Sequence, residues 1–318
     1  MKIFYSLPDF LKSGASSGKF AVTIGVFDGL HRGHRKIVKT LIKKAQARGL
    51  STLVITFDPH PADVLAGSKK VPLVISLKHR LRLFSEIGVD NAVILRFTGK
   101  LARMSADDFV KKVLARINII EIVVGRDFFF GRKRQGSPEA LRALSGLYRY
   151  RVSVVKALRS SGKIVSSTRI RGLIMRGELK KASRLLARPV AILGTVVKGH
   201  KRGRIIGYPT ANINPHHEAI PPSGVWAVKI KSKKRLYDGL LNIGTRPTFA
   251  GISTDAREPT IEAHIFDFNR SIYGKDLEIS FVRKIRNEKK FNTPERLGEQ
   301  IRADEKRARR ILAEYTGS

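Results

Sequence analysis

Cysteine is absent from the 318 residues. That excludes disulfide staples, thiolate metal sites and a cysteine nucleophile. Long apolar runs are absent too: no uncharged stretch approaches the roughly 18–20 residues a membrane-spanning helix needs. Residues 1–10 carry Lys2 and Asp9 where a secretory signal would place its apolar core. The expected compartment is therefore the cytoplasm. The sequence shows no internal repeat and no low-complexity stretch, so repeat and disordered classes drop out.

Acidic residues are scarce. Twenty-six Asp plus Glu face 62 Lys plus Arg, a formal charge of +36. Such a surplus attracts polyanions, nucleic acid first among them. Small anionic substrates and a generally basic proteome are the competing explanations. The positive charge is spread along the whole chain without a basic tail, and dispersed charge is a weaker footprint than a clustered stripe. Nucleic acid is thus expected to bind weakly and without sequence preference at most. A barrel that binds nucleic acid would also interleave aromatics with Lys and Arg on exposed strands, whereas the aromatics here lie mostly in apolar contexts. The rest of the composition is ordinary for a globular chain, 42% apolar and 28% charged. At about 100–200 residues per domain the length predicts two domains, each with its own core.

The first half alternates strand and helix signals. Residues 20–27 form a short β-prone run. Over 34–48, Ile37, Val38, Leu41, Ile42 and Ala45 recur at helical spacing. Strands follow at 52–57, 91–97, 119–124 and 152–155, and helices at 78–87, 105–116 and 138–147, with Ser105 as an N-cap. This alternation implies βαβ units around a buried parallel sheet. A helical pattern over 169–186 is weakened by Gly172 and Gly177. Beyond Pro189 come short strands at 191–198, 225–231, 237–243, 260–266 and 277–284, the pattern of a small antiparallel barrel or sandwich. A last helix over 293–315 has Pro294 in its first turn. Its stripe of Leu297, Ile301, Ala308 and Leu312 predicts a lid packed on the barrel.

Between the first strand and helix lies Gly25-Val26-Phe27-Asp28-Gly29-Leu30-His31-Arg32-Gly33-His34. Open α/β sheets bind ligands at the carboxyl ends of their strands. Glycines let the backbone approach a ligand, and a helix N-terminus offers free N–H groups to phosphate. Two imidazoles three residues apart there could both donate to phosphate oxygens. The segment fits neither the G-x-x-x-x-G-K-[ST] loop nor the G-x-G-x-x-G fingerprint. A metal site and a purely structural turn stay open as alternatives.

G-x-F-D-G-x-H-x-G-H resembles the H-x-G-H signature of nucleotidyltransferases. Its extended form resembles the adenylyltransferase half of bacterial bifunctional riboflavin kinase/FAD synthetases. Two segments strengthen that resemblance. Val123–Gly131 is similar to the family's G-x-D-F-x-F-G segment, and Ser166-Ser167-Thr168-Arg169-Ile170-Arg171 to its S-S-T-x-x-R motif.

The second constellation is the basic, glycine-spaced run 199–207, leading into Tyr208-Pro209-Thr210-Ala211-Asn212. Main-chain N–H groups and cations in such a loop can wrap phosphates. Thr210 and Asn212 would share one side of an extended segment and offer oxygens to a phosphate-bound Mg²⁺. Read alone, P-T-A-N is a plain turn. Beside the other motifs it resembles the P-T-A-N motif of riboflavin kinases, and segments at 221–228, 242–249, 260–268 and 286–291 extend the likeness over nearly the whole chain. Departures from the family pattern are Phe129, Trp226, Tyr208 and Asn287.

The resemblance implies a fold and a pair of activities. The fold is an α/β Rossmann-like nucleotidyltransferase domain (residues 1–186), followed by a small antiparallel β-barrel domain with a C-terminal helix (residues 187–318). The barrel would phosphorylate riboflavin to FMN, and the first domain would adenylylate FMN to FAD, with ATP in both steps and Mg²⁺ assisting. Gly25, Phe27, Asp28, His31, Gly33, His34, Asp127, Ser167, Thr168 and Arg171 would handle nucleotide and phosphates in the first domain. Gly199, Gly203, Arg204, Gly207, Pro209, Thr210 and Asn212 would bind ATP in the second, with Thr210 and Asn212 on the metal and Arg286 and Glu288 on the flavin side. Glu262 lies in a β-prone run flanked by apolar residues. An ion pair with an arginine is one reading, and the resemblance makes it the catalytic base. Among other polar residues, His60 is expected at a pocket rim or capping a turn, His216 and His217 in solvent, and His264 either near the site or structural. Trp226 and Phe128–Phe130 are expected in cores.

Overall fold

Strands buried on both faces build the first unit. The computed structural model describes residues 1–65, 71–198, 207–216, 218–233, 235–245 and 259–315. In chain order the first unit holds β1 (Lys2–Phe4), α1 (Leu7–Lys12), β2 (Phe20–Ile24), α2 (Arg32–Gln46), β3 (Ser51–Asp58), α3 (Pro61–Leu65), α4 (Leu77–Ile87), β4 (Asn91–Arg96), α5 (Gly99–Ala102), α6 (Ala106–Lys112), β5 (Ile119–Gly125), α7 (Pro138–Ala143), α8 (Ser145–Tyr148) and β6 (Arg151–Val155). A two-residue hairpin, β7 (Arg159–Ser160) with β8 (Lys163–Ile164), follows. All five residues of β2 are buried, as expected for a parallel strand covered by helices. The sheet runs β1-β4-β3-β2-β5-β6 with every pair parallel. Phe10, Phe20, Leu53, Ile55, Ile122 and Leu141 sit in its fully enclosed core.

One charged group is built into this packing. Glu121 is 1% exposed and takes Lys44 from the last turn of α2 at 3.4 Å and Arg48 from the turn that follows at 3.0 Å. The Ser153 hydroxyl donates to the same carboxylate at 2.5 Å. A buried carboxylate needs such partners, and these tie α2 to β5 and β6.

The expected helix over 169–186 is two helices, α9 (Ser167–Met175) and α10 (Leu179–Leu186). Gly177, at φ +76°, breaks them apart, a conformation that glycine takes without strain. The helix expected at 138–147 divides into α7 and α8, and that at 105–116 ends at Lys112 before a 3₁₀ turn. Ser105 caps it as expected, accepting from the Asp108 N–H at 3.1 Å. β1 and α1 are additions at the sheet edge. β1 has only three residues, too few for a periodic signal to stand out.

The second unit is a closed antiparallel barrel, order β10-β13-β12-β11-β14-β9. Its strands are β9 (Ala191–Val197), β10 (Ala211–Asn214), β11 (Gly224–Ser232), β12 (Arg235–Thr245), β13 (Pro259–Ile265) and β14 (Asp276–Arg286), followed by helix α11 (Pro294–Ala313). Side chains alternate across the wall. Val225, Ala227, Leu240 and Ile285 pack against Ala308, Ile311 and Leu312 of α11. Trp226 turns to the other face and meets Phe281 edge-on at 5.5 Å. The lid expected from the α11 stripe is therefore real for its second half.

Contacts divide the chain unevenly. Met1–Pro72 and Leu77–Ser167 form one compact unit; Leu73–Ser76 and Thr168–Ser318 form the other. Glu218, 4% exposed, holds the short inserted segment. Its carboxylate accepts from the Ser76 N–H at 2.7 Å and the Leu193 N–H at 3.1 Å.

Gly224 stands at φ +134°, and an added Cβ would collide with the Arg286 carbonyl. Gly224→Ala is expected to destabilise the barrel by about 1–3 kcal/mol. Trp226 is the sole tryptophan and is 3% exposed in the barrel, so denaturant unfolding followed by its fluorescence measures the loss directly.

Candidate functional site

β2 pairs with β3 on one edge and β5 on the other, and the strand order reverses there. This is the topological switch point, where open sheets bind ligands beyond the carboxyl ends of their strands. The H-x-G-H loop leaves the end of β2, and Asp127 lies exposed in the turn after β5. The loop is contorted. Phe27 and Leu30 take left-handed backbone angles, φ 52° and 37°, and Gly29 stands at φ 80°. Non-glycine residues hold such angles only where surrounding structure compels them. Asp28 and His31 are buried at 3% and 5% exposure.

His31 is the N-cap of α2. Its Nδ1 accepts from the His34 N–H at 3.3 Å, and the two rings stack at 3.7 Å. The expectation that both imidazoles donate to phosphate is narrowed by this contact. The Nδ1 of His31 is committed as an acceptor, so donation from that ring falls to Nε2. Gly33 allows the arrangement: an added Cβ would stand 3.2 Å from the His31 ring. His34 Nδ1 is enclosed and has no hydrogen-bond partner. Burial first, then the nearby His31 and Arg80, hold the His34 pKa well below the usual imidazole value. It is a neutral ring at pH 7.

Ser167 opens α9 and donates its hydroxyl to the Asp28 carbonyl at 2.7 Å. Thr168 and Arg171 follow on the same helix, past the division between the units. His60 caps a turn, its Nδ1 accepting from the Ala62 N–H at 3.0 Å. Phe128 and Phe130 stack on each other and pack on the core, while Phe129 is 44% exposed under the Arg134 guanidinium.

Composition and motif left out one residue of this site. Arg80, on α4, is 3% exposed and donates to the Val26 carbonyl, to Thr56 Oγ1 at 3.2 Å and to the Phe57 carbonyl at 3.4 Å. Burial lowers its pKa to about 10, while Asp28 and Asp58 pull the other way. It remains charged at neutral pH. Its surroundings in sequence, Lys78-His79-Arg80-Leu81-Arg82, read as a solvated basic helix, and no pattern marks the middle cation as buried.

In the barrel a cleft of about 600 Å³ opens beside α11. Thr210, Asn242, Glu262, His264, Arg286 and Glu288 are among the polar residues that line it. Register explains the grouping: Glu262 pairs with Asn212 on one side and Asn242 on the other. Directly paired residues point to the same face, so these three side chains form a row across β10, β13 and β12. Glu262 is half-buried, and its apolar neighbours Ile261, Ala263 and Ile265 are the buried ones. Its setting is thus a cleft wall and not a sealed core. Among the described residues it makes no ion pair, and the Thr210 hydroxyl donates to it at 3.4 Å. His264 Nδ1 lies 2.9 Å from the Pro209 carbonyl and so steadies the P-T-A-N turn. Arg286 pairs with Asp304 of α11 at 2.8 Å and lies over the Phe291 ring. Leu297 and Ile301, the first half of the α11 stripe, line the cleft and leave the packing to the second half. Gly199, Gly203, Arg204 and His217 lie outside the described residues, whereas Gly207 stands at φ +80° before the motif. His216, expected in solvent, bonds Thr195 at 3.0 Å.

Thr210 and Asn212 beside a carboxylate are hard oxygen donors, which suits a divalent cation shared with phosphate. Among the described residues, no group of three or more His, Asp or Glu gathers that could hold a metal by itself.

A switch-point H-x-G-H helix and a barrel with a carboxylate-lined cleft define a two-part phosphate-transfer enzyme, nucleotidyltransferase joined to kinase. Residues 14–169 match the model of FAD synthetase, and residues 186–312 that of riboflavin kinase. The chain belongs to the family of bifunctional riboflavin kinase/FMN adenylyltransferases. The member from Bacillus subtilis is 35% identical over 301 residues, 93% of each chain. That from Listeria monocytogenes is 37% identical over 294 residues, 92% of each. A solved structure from Streptococcus pneumoniae, described as a macrolide-efflux protein, superposes with a TM-score of 0.79 at 30% identity, covering 96% of this chain and 98% of that one. Among the described residues no helix here is long and apolar enough to cross a membrane.

The lowered His34 pKa has a stability consequence. Below about 6.5 the unfolded chain takes up a proton that the folded ring resists, so stability is present above that pH and lost as pH falls. Calorimetric scans from pH 7 to 5 should show the first unit's midpoint falling, and His34→Gln should flatten that slope. Trp226 fluorescence separates out the barrel transition.

Proposed function

We propose that residues 187–318 transfer the γ-phosphate of ATP to the ribityl hydroxyl of riboflavin, giving FMN and ADP. Residues 1–186 then let the FMN phosphate attack the α-phosphorus of a second ATP, giving FAD and pyrophosphate. The observation that carries this reading is that each half of the chain carries its own motifs and matches its own family model, residues 14–169 and 186–312. Both reactions are in-line displacements in which the protein supplies position and charge stabilisation.

In the barrel, Glu262 takes the proton of the ribityl hydroxyl as the bond to phosphorus forms. Thr210 and Asn212 would hold a Mg²⁺ ion arriving with ATP, and that ion would neutralise phosphate charge. Gly199, Gly203, Arg204 and Gly207 wrap the phosphates, and Arg286 and Glu288 face the flavin. In the first unit, the N–H groups at the start of α2 and the imidazoles of His31 and His34 meet the triphosphate. A neutral His34 donates one hydrogen bond without carrying charge into the free site. Ser167, Thr168 and Arg171 stabilise the leaving pyrophosphate from the other side, and Asp127 holds nucleotide or flavin. No covalent intermediate is involved. ATP as the donor for both steps fits a cytoplasmic setting. The surplus positive charge serves these anionic substrates, with nucleic acid bound weakly and non-specifically at most.

Two sets of variants test the division of labour, with FMN and FAD separated by chromatography. Glu262→Gln should lower riboflavin phosphorylation by roughly 10²–10⁴-fold and spare adenylylation of supplied FMN. His31→Ala and His34→Ala should do the reverse, each cutting FAD formation on the order of 10²–10³-fold. Loss of both activities in one variant would show that the sites are not independent.

A further inference from the structure

Arg80 lies under the adenylyl-transfer loop and belongs to none of its motifs. The residue is 3% exposed, a costly place for a cation. One hydrogen-bonding nitrogen, Nε, is enclosed without a partner. An apolar side chain of similar size would pack there without that cost, so the charge needs a reason. The contacts supply one. The NH1 group reaches the Val26 carbonyl, the last residue before Phe27 turns left-handed. The same group reaches Thr56 Oγ1, and NH2 reaches the Phe57 carbonyl, both on β3. Thr56, itself fully buried, also donates to the Val26 carbonyl at 3.3 Å. Two donors therefore converge on one carbonyl oxygen. That oxygen belongs to the peptide plane that sets the positive φ of Phe27, the first residue of the turn in which Gly29 and Leu30 also stand at positive φ.

We infer that Arg80 is a positioning residue for adenylyl transfer, locking the loop after β2 onto the end of β3 so that the turn presents His31 and His34 in fixed geometry. This rests on the adenylyltransferase reading above. Preorganised donors stabilise a transition state because they need no reorientation when charge develops. A loop anchored at Val26 keeps its donors in place before ATP arrives. The guanidinium also acts on His34 through space. The groups around that ring are the stacked His31, the edge of Phe27, and Arg80 from α4, whose charge Asp28 and Asp58 partly offset. A fixed cation at this position favours the neutral imidazole.

The test uses the full chain with Arg80→Gln, Arg80→Lys and Thr56→Val. FAD formation from FMN and ATP is measured alongside riboflavin phosphorylation, and His34 is titrated by NMR. Arg80→Gln should lower kcat for FAD formation about 10–100-fold and leave KM for ATP within a few-fold. It should also raise the pH at which His34 titrates and leave riboflavin phosphorylation at the parental rate. Arg80→Lys keeps a charged donor for Val26 and should recover most of the lost kcat. Thr56→Val leaves the cation and its bond to the Phe57 carbonyl in place, removes the Thr56 hydroxyl that bridges Val26 and Arg80, and should cost a severalfold drop in kcat; it decides the matter if Arg80→Gln does not fold. A folded Arg80→Gln protein with parental kcat, or one whose His34 titrates where the parent's does, overturns the inference; so does parental kcat in Thr56→Val. If the parent itself makes no FAD from FMN, the adenylyltransferase reading fails, and that result is distinct from either.

Discussion

β2 is hydrogen-bonded along both edges, to β3 and to β5, and the first unit depends on that double pairing. A strand held on both sides cannot slide, so its last residue, Ile24, is fixed in space. α2 is equally constrained, because Val38, Leu41 and Ala45 are buried along one side of it. The seven residues between, 25–31, must therefore join two immovable ends within a short distance. The left-handed angles at Phe27 and Leu30 are the result. Strain is tolerated there because the sheet and α2 supply more burial than the turn consumes. The same geometry leaves the first N–H groups of α2 facing out of the strand ends, where an anion is most welcome.

The barrel reaches a similar chemistry by a different device. Register across three antiparallel strands sets Asn212, Glu262 and Asn242 side by side, and His264 fixes the turn that carries Thr210. A strand wall places side chains with little freedom, since each position along it is tied by ladder hydrogen bonds to its neighbours.

Much of this was legible in the residue string. Alternating apolar runs revealed the parallel sheet, and turn-spaced short strands revealed the barrel. The motifs point to His31, His34 and Thr210 as candidates, because glycine and polar residues at strand ends stand out against apolar background, and Glu262 stands out as a carboxylate inside a β-prone run. What stayed hidden depends on tertiary approach. Arg80 sits in a run of basic residues, Lys78 to Arg82, in which exposed Lys78 and buried Arg80 read alike in sequence, and only packing distinguishes them. Asn242 becomes part of the site through register with Glu262, twenty residues away, which no local pattern encodes. The split roles of α11 are equally invisible: Leu297 and Ala308 fall on one stripe, yet the barrel ends beneath only the second. Gly177 weakens the helical pattern in sequence, and its positive φ makes it a boundary.

The Glu218 carboxylate gives the molecule a kind of non-removable stitch. The barrel unit takes in Leu73–Ser76, a segment that arrives about a hundred residues before the rest of that unit is encoded. Synthesis from the N-terminus therefore exposes Leu73–Ser76 long before Glu218 exists to receive it. The barrel can complete its hydrogen bonding only after the strands of the second half emerge, so the last-made part of the chain must close over an early-made one. A polypeptide cut between the halves would leave one lobe of that carboxylate facing no amide. The two activities are separable as chemistry, but the covalent chain does not divide along the same line.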